Sequence, residues 1–166
     1  MDLLDRLLGH DAWTTRELLI RAQPLTDEQL DREFAFAHHT VRATFLHILR
    51  NMEAWTDAMF GRAIRPRPAN TPEARSVAGM IARLDAAAPE LARVASAVRD
   101  KGGWDEVWAD PDDDTLPEKS FGGTIAHVIT HSMHHRGQLI PMLRALGVPD
   151  VPEGDALYWE YAVHRG

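Results

Sequence analysis

His127-Val128-Ile129-Thr130-His131-Ser132-Met133-His134-His135-Arg136-Gly137-Gln138 is the stretch whose reading decides the fold. Four of the chain's nine histidines lie in it, and His127, His131 and His135 recur at i, i+4 and i+8. On a helix those three stack on successive turns of one face. An i, i+4 pair is the spacing by which one helix offers two imidazoles to a single metal ion. The plainer alternative is a polar helix edge that happens to be rich in histidine. Projected at about 100° per residue, Ile125, Val128, Leu139, Leu143 and Leu146 form an apolar arc. His135 falls at the edge of that arc and His131 just outside it, whereas His127 and His134 turn further toward solvent. The pair best placed to bind a metal is therefore His131 and His135, at a helix–helix boundary where a third ligand can arrive.

Two residues of this helix break the pattern of a plain bundle helix. Arg136 projects into the apolar arc, where an unpaired guanidinium would be costly, so a carboxylate partner is expected. Pro141 falls mid-helix, and its ring would press on the carbonyl of Gly137, which predicts a kink with the proline on the outer side.

Outward from this stretch, the rest of the chain reads as further helices. Leu4, Leu7, Leu8, Ala12, Leu18 and Leu19 give the first helix an apolar arc over 3–21, closed by Pro24. Thr26 with Gln29 forms a capping box for a short turn ending at Leu30, and 33–39 is a connector. Thr40 caps a second helix whose stripe is Val41, Phe45, Ile48, Leu49, Met52, Trp55 and Met59, ending at Gly61. Arg65-Pro66-Arg67-Pro68 is a stiff linker. Thr71 and Pro72 open a third helix that Gly102 stops, with Pro89 expected to kink or split it. Trp104, Val107 and Trp108 precede a turn-rich acidic run at 110–114, read as two short strands or an irregular hairpin. The fourth helix spans 123–146, up to Gly147. A last short helix, 155–164, has Leu157, Tyr158, Trp159 and Tyr161 to bury. The fold class is all-α: one domain over 1–166, an antiparallel four-helix bundle with a small insert before the fourth helix and a short C-terminal helix.

Composition narrows the function. Hydrophobic residues make up 45% and charged residues 26%, the balance of a globular protein, and no stretch reads as a membrane span or signal peptide. Cytoplasm is the default location. The net charge is −7 and the only lysines are Lys101 and Lys119, which argues against nucleic-acid binding. Cysteine is absent, so the chain has no thiol nucleophile, disulfide or Cys-ligated zinc of its own. His-Glu-x-x-His and Glu-x-x-His are both missing, which removes the corresponding metalloprotease and the carboxylate di-iron bundle.

The third ligand is harder to place. His47 is the natural candidate on the second helix, on a face with Ala43, Asn51, Ala54 and Ala58 that either meets the fourth helix or faces solvent. His38 and His39 are competitors from the connector, and His10 and His164 read as surface residues. Glu53 is a general base, a surface acid or the partner of Arg136.

These residues resemble the DinB/YfiT-like family of metal-binding four-helix bundles, unrelated to the DNA polymerase that shares the DinB name. The resemblance runs from His10-Asp11-Ala12-Trp13 through Leu25-Thr26-Asp27-Glu28-Gln29-Leu30 and Thr40-Val41-Arg42-Ala43-Thr44-Phe45-Leu46-His47 to the His-Arg-Gly-Gln stretch and Leu143-Arg144-Ala145-Leu146-Gly147. It implies a bundle in up-down-down-up order, usually a homodimer. It also implies a divalent metal held by one histidine of the second helix and the pair of the fourth: His47, His131 and His135. Relatives include transferases that use low-molecular-weight thiols such as bacillithiol or mycothiol, others that resemble metal-dependent hydrolases, and many without an assigned activity.

Three imidazoles leave metal positions open, as catalytic sites do. A metal there can lower the pKa of a bound water or of a thiol, and with no cysteine in the chain the thiol must be a cosubstrate. Thiol S-transfer is preferred over metal-dependent hydrolysis, and both stand against a non-enzymatic metal-binding or stress-response module. Zinc is the default ion, with nickel, iron or manganese as alternatives.

Overall fold

The computed structural model describes residues 1–110 and 115–165, and of His164 and Arg165 it describes the backbone alone. Helix α1 (Leu3–Ala22) starts at Asp2, whose side chain caps Asp5 N–H while Asp5 caps back. The one-turn helix α2 (Asp27–Leu30) carries the expected Thr26/Gln29 capping box. Helix α3 (Val41–Met59) begins at the Thr40 cap and ends before Gly61, which sits at φ +66°.

The third helix differs from expectation. It divides at Ser76 into α4 (Pro72–Arg75) and α5 (Val77–Lys101) and runs unbroken through Pro89. Ser76 is extended, and its hydroxyl accepts a hydrogen bond from Gly79 N–H, so it starts a new helix in its own right. A Cβ at Gly79 would lie 2.0 Å from the Glu73 carbonyl oxygen, so only glycine lets α4 fold back this closely. Pro89 is exposed, which leaves the carbonyl it cannot bond open to water.

Strands β1 (Val107–Ala109) and β2 (Glu118–Ser120) pair antiparallel, with Trp108 opposite Lys119, as the expected hairpin. Most of the acidic run between them, residues 111–114, lies outside the described residues. Helix α6 (Phe121–Ala145) passes through Pro141 without interruption, with the proline on the exposed side.

The four long helices pack in the cyclic order α1–α5–α3–α6, so α1 and α3 face each other across the bundle. Phe45, Leu18, Leu49, Met52, Met80, Leu84, Leu139 and Leu143 fill its centre. Helix α7 (Ala156–Arg165) lies on α1. Of its four candidate core residues only Trp159 is buried; Leu157, Tyr158 and Tyr161 are exposed. Trp159 owes its seat to Gly9, where a Cβ would come within 2.7 Å of its ring. Beside it His10, expected at the surface, is buried, and its Nε2 bonds the Gly154 carbonyl at 2.7 Å. Among the described residues no helix is long and apolar enough to cross a membrane.

Candidate metal centre

The face of α3 that carries His47 packs against α6, not solvent. His47 Nε2 lies 3.0 Å from His131 Nε2, and His131 Nε2 lies 3.3 Å from His135 Nε2. With metal–nitrogen bonds of about 2.0–2.1 Å, two ligands of one ion sit roughly 3.0–3.4 Å apart, so these spacings suit a shared cation. His135 is buried; His47 and His131 are half-buried.

The hydrogen bonds around His135 fix its tautomer. Its Nδ1–H donates to Gln138 Oε1 at 2.7 Å, and the Gln138 amide in turn donates to His134 Nε2 at 3.0 Å. Nε2 of His135 is therefore a bare lone pair aimed at His131, the orientation that an outer hydrogen bond gives a metal-binding histidine. His131 Nδ1 is buried and has no hydrogen-bond partner among the described residues.

Electrostatics keep the group neutral. Burial, with a smaller push from the neighbouring imidazoles in the same direction, lowers His47 and His131 to about 4. Burial also lowers His135, against the opposing effect of the hydrogen bond it donates to Gln138. Neutral imidazoles crowded lone pair to lone pair repel one another unless a cation or a shared proton lies between them. Ligands that are already deprotonated at neutral pH bind a metal without first releasing protons.

A fourth histidine joins them. His38 stacks on His47 with ring centroids 3.7 Å apart, and ligand atoms of His38, His47 and His135 all lie within 4.8 Å of one another, a group that could hold a metal ion. Its position comes from the backbone: Ala37 and His39, on either side of it, both take positive φ, at +55° and +65°. Such conformations cost about 1–3 kcal/mol each and persist only where the surroundings enforce them. Here the Phe34 N–H to His39 carbonyl bond, 2.6 Å, closes the loop. His39 itself is exposed and outside the group.

Arg136, the residue after His135, finds its carboxylate in Asp11 of α1. Both side chains are almost fully buried, 3% and 1% exposed, and Thr15 Oγ1 accepts from the same guanidinium at 3.2 Å. Burial pushes the Asp11 carboxyl up while Arg136 pulls it back down. Glu53 is not this partner; it accepts two hydrogen bonds from Arg83 of α5, at 2.8 and 3.0 Å. The pair of α1 and α6 thus clamps the helix that carries His131 and His135.

With this geometry in view, the profile of the DinB family matches residues 1–161. The chain belongs to the DinB family. No curated protein is similar enough to register as a relative. Family membership and the clustered histidines together fit a metal-binding bundle.

Two cavities lie near this DinB-family centre, and the first of them reaches its histidines. One, of about 360 Å³, is lined by His38 and His47 together with arginines of α3, α4, α5 and the linker before α4. The other, of about 430 Å³, is lined by Trp55, Leu116, Lys119 and His127. His127 separates it from the cluster, with ring centroids 5.2 Å from His131 and 5.6 Å from Trp55. Lys119 lies over the rings of Trp55 and Trp108, at 5.5 and 5.8 Å.

Proposed function

We propose that the protein holds one divalent ion, zinc by default, through His47, His131 and His135, and that it transfers the sulfur of a low-molecular-weight thiol to an apolar electrophile. The observation that carries the metal reading is the convergence of three neutral Nε2 atoms at 3.0 and 3.3 Å, one of them held in its metal-binding tautomer by Gln138. The ion would lower the pKa of a bound thiol, the chemistry that turns a weak nucleophile into a strong one at neutral pH.

The residues of the chain do the rest. Burial keeps the imidazoles as lone-pair donors, and the Asp11–Arg136 clamp fixes the height of α6. Because the chain has no cysteine, the sulfur must come from a second molecule. Two separate cavities beside one cluster suit two organic substrates, which favours transfer over hydrolysis, where water is the second reactant. The basic one suits a polar thiol, and the one walled by Trp55 and Leu116 suits an apolar electrophile. In the reaction a C–S bond forms as the bond from carbon to its leaving group breaks; the leaving group departs as an anion and the thiol's proton passes to solvent.

The test is conjugation of chlorodinitrobenzene by the zinc-loaded protein with a panel of small thiols. Chloride release that disappears on chelation and in His47→Ala supports the reading. A folded, zinc-loaded protein that conjugates no thiol faster than buffer does would leave a metal-binding module without this activity.

A further inference from the structure

The cavity lined by His38 and His47 is also lined by four arginines, Arg50, Arg67, Arg75 and Arg83, and by no acidic residue. Their charges are unequally matched. Arg83 is paired with Glu53 and Arg75 with Asp31. Arg50 donates to the Arg65 carbonyl, a neutral acceptor, and Arg67 makes no ion pair among the described residues. Two arginines that line one small cavity therefore have no compensating anion among the described residues.

The wall that carries Arg67 is held in place. Asp57, 1% exposed, accepts hydrogen bonds from the Arg65 backbone N–H at 2.9 Å and from its guanidinium at 2.6 and 2.7 Å. Pro66 and Pro68 bracket Arg67 and restrict the backbone on both sides of it. A guanidinium is a planar fork matched to the two oxygens of a carboxylate or phosphate. The volume, about 360 Å³, suits a small organic molecule.

We infer that this cavity is an anion subsite: Arg67 and Arg50 take the carboxylate or phosphate end of a small organic cosubstrate whose other end reaches His47. The last clause rests on the thiol-transfer reading, and the anion site itself does not.

Calorimetric titration of the full chain with succinate and, separately, with inorganic phosphate tests it, in the wild type, Arg67→Ala and Arg67→Glu. Arg67 is exposed and makes no ion pair among the described residues, so both variants should keep the wild-type helical signal. The expected result is that at least one probe binds, more weakly in high salt, at least tenfold more weakly in Arg67→Ala and more weakly still in Arg67→Glu. Binding of neither probe to the wild type, or equal binding in Arg67→Glu, overturns the inference.

Mercaptosuccinate and mercaptoethanol, added to cobalt-loaded protein, then separate this from the thiol reading by the thiolate-to-metal absorption band. Arginine-dependent binding of succinate or phosphate without a band from either thiol keeps the anion site and rejects thiol transfer. A band from both thiols, with equal affinities in the wild type and Arg67→Glu, keeps thiol transfer and rejects the anion site.

Discussion

Replacing Asp11 by alanine should destabilise the protein by about 3–5 kcal/mol, because it strands the Arg136 guanidinium in the bundle core. The figure follows from the burial of the pair, 1% and 3% exposed, and from what remains after the substitution. Arg136 would keep only neutral acceptors, the residue-11 carbonyl at 3.3 Å and Thr15 Oγ1 at 3.2 Å. For a domain of this size the loss corresponds to a fall in Tm of roughly 6–20 °C. Guanidinium unfolding followed by helical circular dichroism measures it. The companion variant, Asp11→Leu with Arg136→Met, removes both charges and fills the space, and should recover most of the loss. The coupling is local to the metal centre as well, since Arg136 follows His135 and ties α6 to α1. Metal affinity should fall in Asp11→Ala and return in the double variant. A loss below about 1 kcal/mol, or a double variant as unstable as the sum of its singles, would show that the pair does not clamp the bundle.

Other predictions are local. Gln138→Leu removes the acceptor that fixes the His135 tautomer and should weaken zinc binding by about 10–100-fold in a chelator competition, with the helical content unchanged. Gly9→Ala places a methyl within 2.7 Å of the Trp159 ring and should unseat α7 at a cost of about 1–3 kcal/mol, seen as a red shift of tryptophan emission. The third concerns acid. Burial pushes Asp57 up, but hydrogen bonds from Arg65 and Arg62 outweigh it and hold its carboxyl well below the usual range; the same arginines lower Glu90. The folded chain therefore takes up these protons less readily than the unfolded chain. The stabilisation is present above the ordinary carboxylate pKa of about 4 and is lost as the pH falls below it. Urea midpoints measured from about pH 5 down to about pH 3 should drop more steeply for the wild type than for Asp57→Asn. Parallel slopes would remove Asp57 from the account.

Much of this was legible because helices announce themselves by period and by their caps. The Thr26, Thr40 and Thr71 caps are all used, and the spacing of His131 and His135 puts both on the inner edge of α6. The outer position of His127 and His134 also follows from the projection, and both are exposed. The break at Ser76 was hidden by the stronger start signal of Thr71-Pro72, although Ser76 with Gly79 is itself a cap followed by a small residue. His47 was undecided because projection gives its direction but not the neighbour it meets. His38 was less accessible still. It reaches the cluster through a connector with two residues at positive φ, and no periodicity reports a loop. The partner of Arg136 had a readable signal: Asp11 is an acid inside the apolar arc of α1, between Leu8 and Leu18, as out of place there as Arg136 is in its own helix. In α7 the aromatic residues outnumber the places to bury them, and only the gap above Gly9 selects Trp159.

The central claim is that the converging imidazoles of α3 and α6 hold a metal ion, and metal analysis of protein purified without a polyhistidine tag tests it most directly. The wild type should carry roughly one divalent ion per chain, lost in both His47→Ala and His135→Ala. A wild type that takes up no metal even when zinc or nickel is supplied, or variants that keep the ion in full, would contradict it.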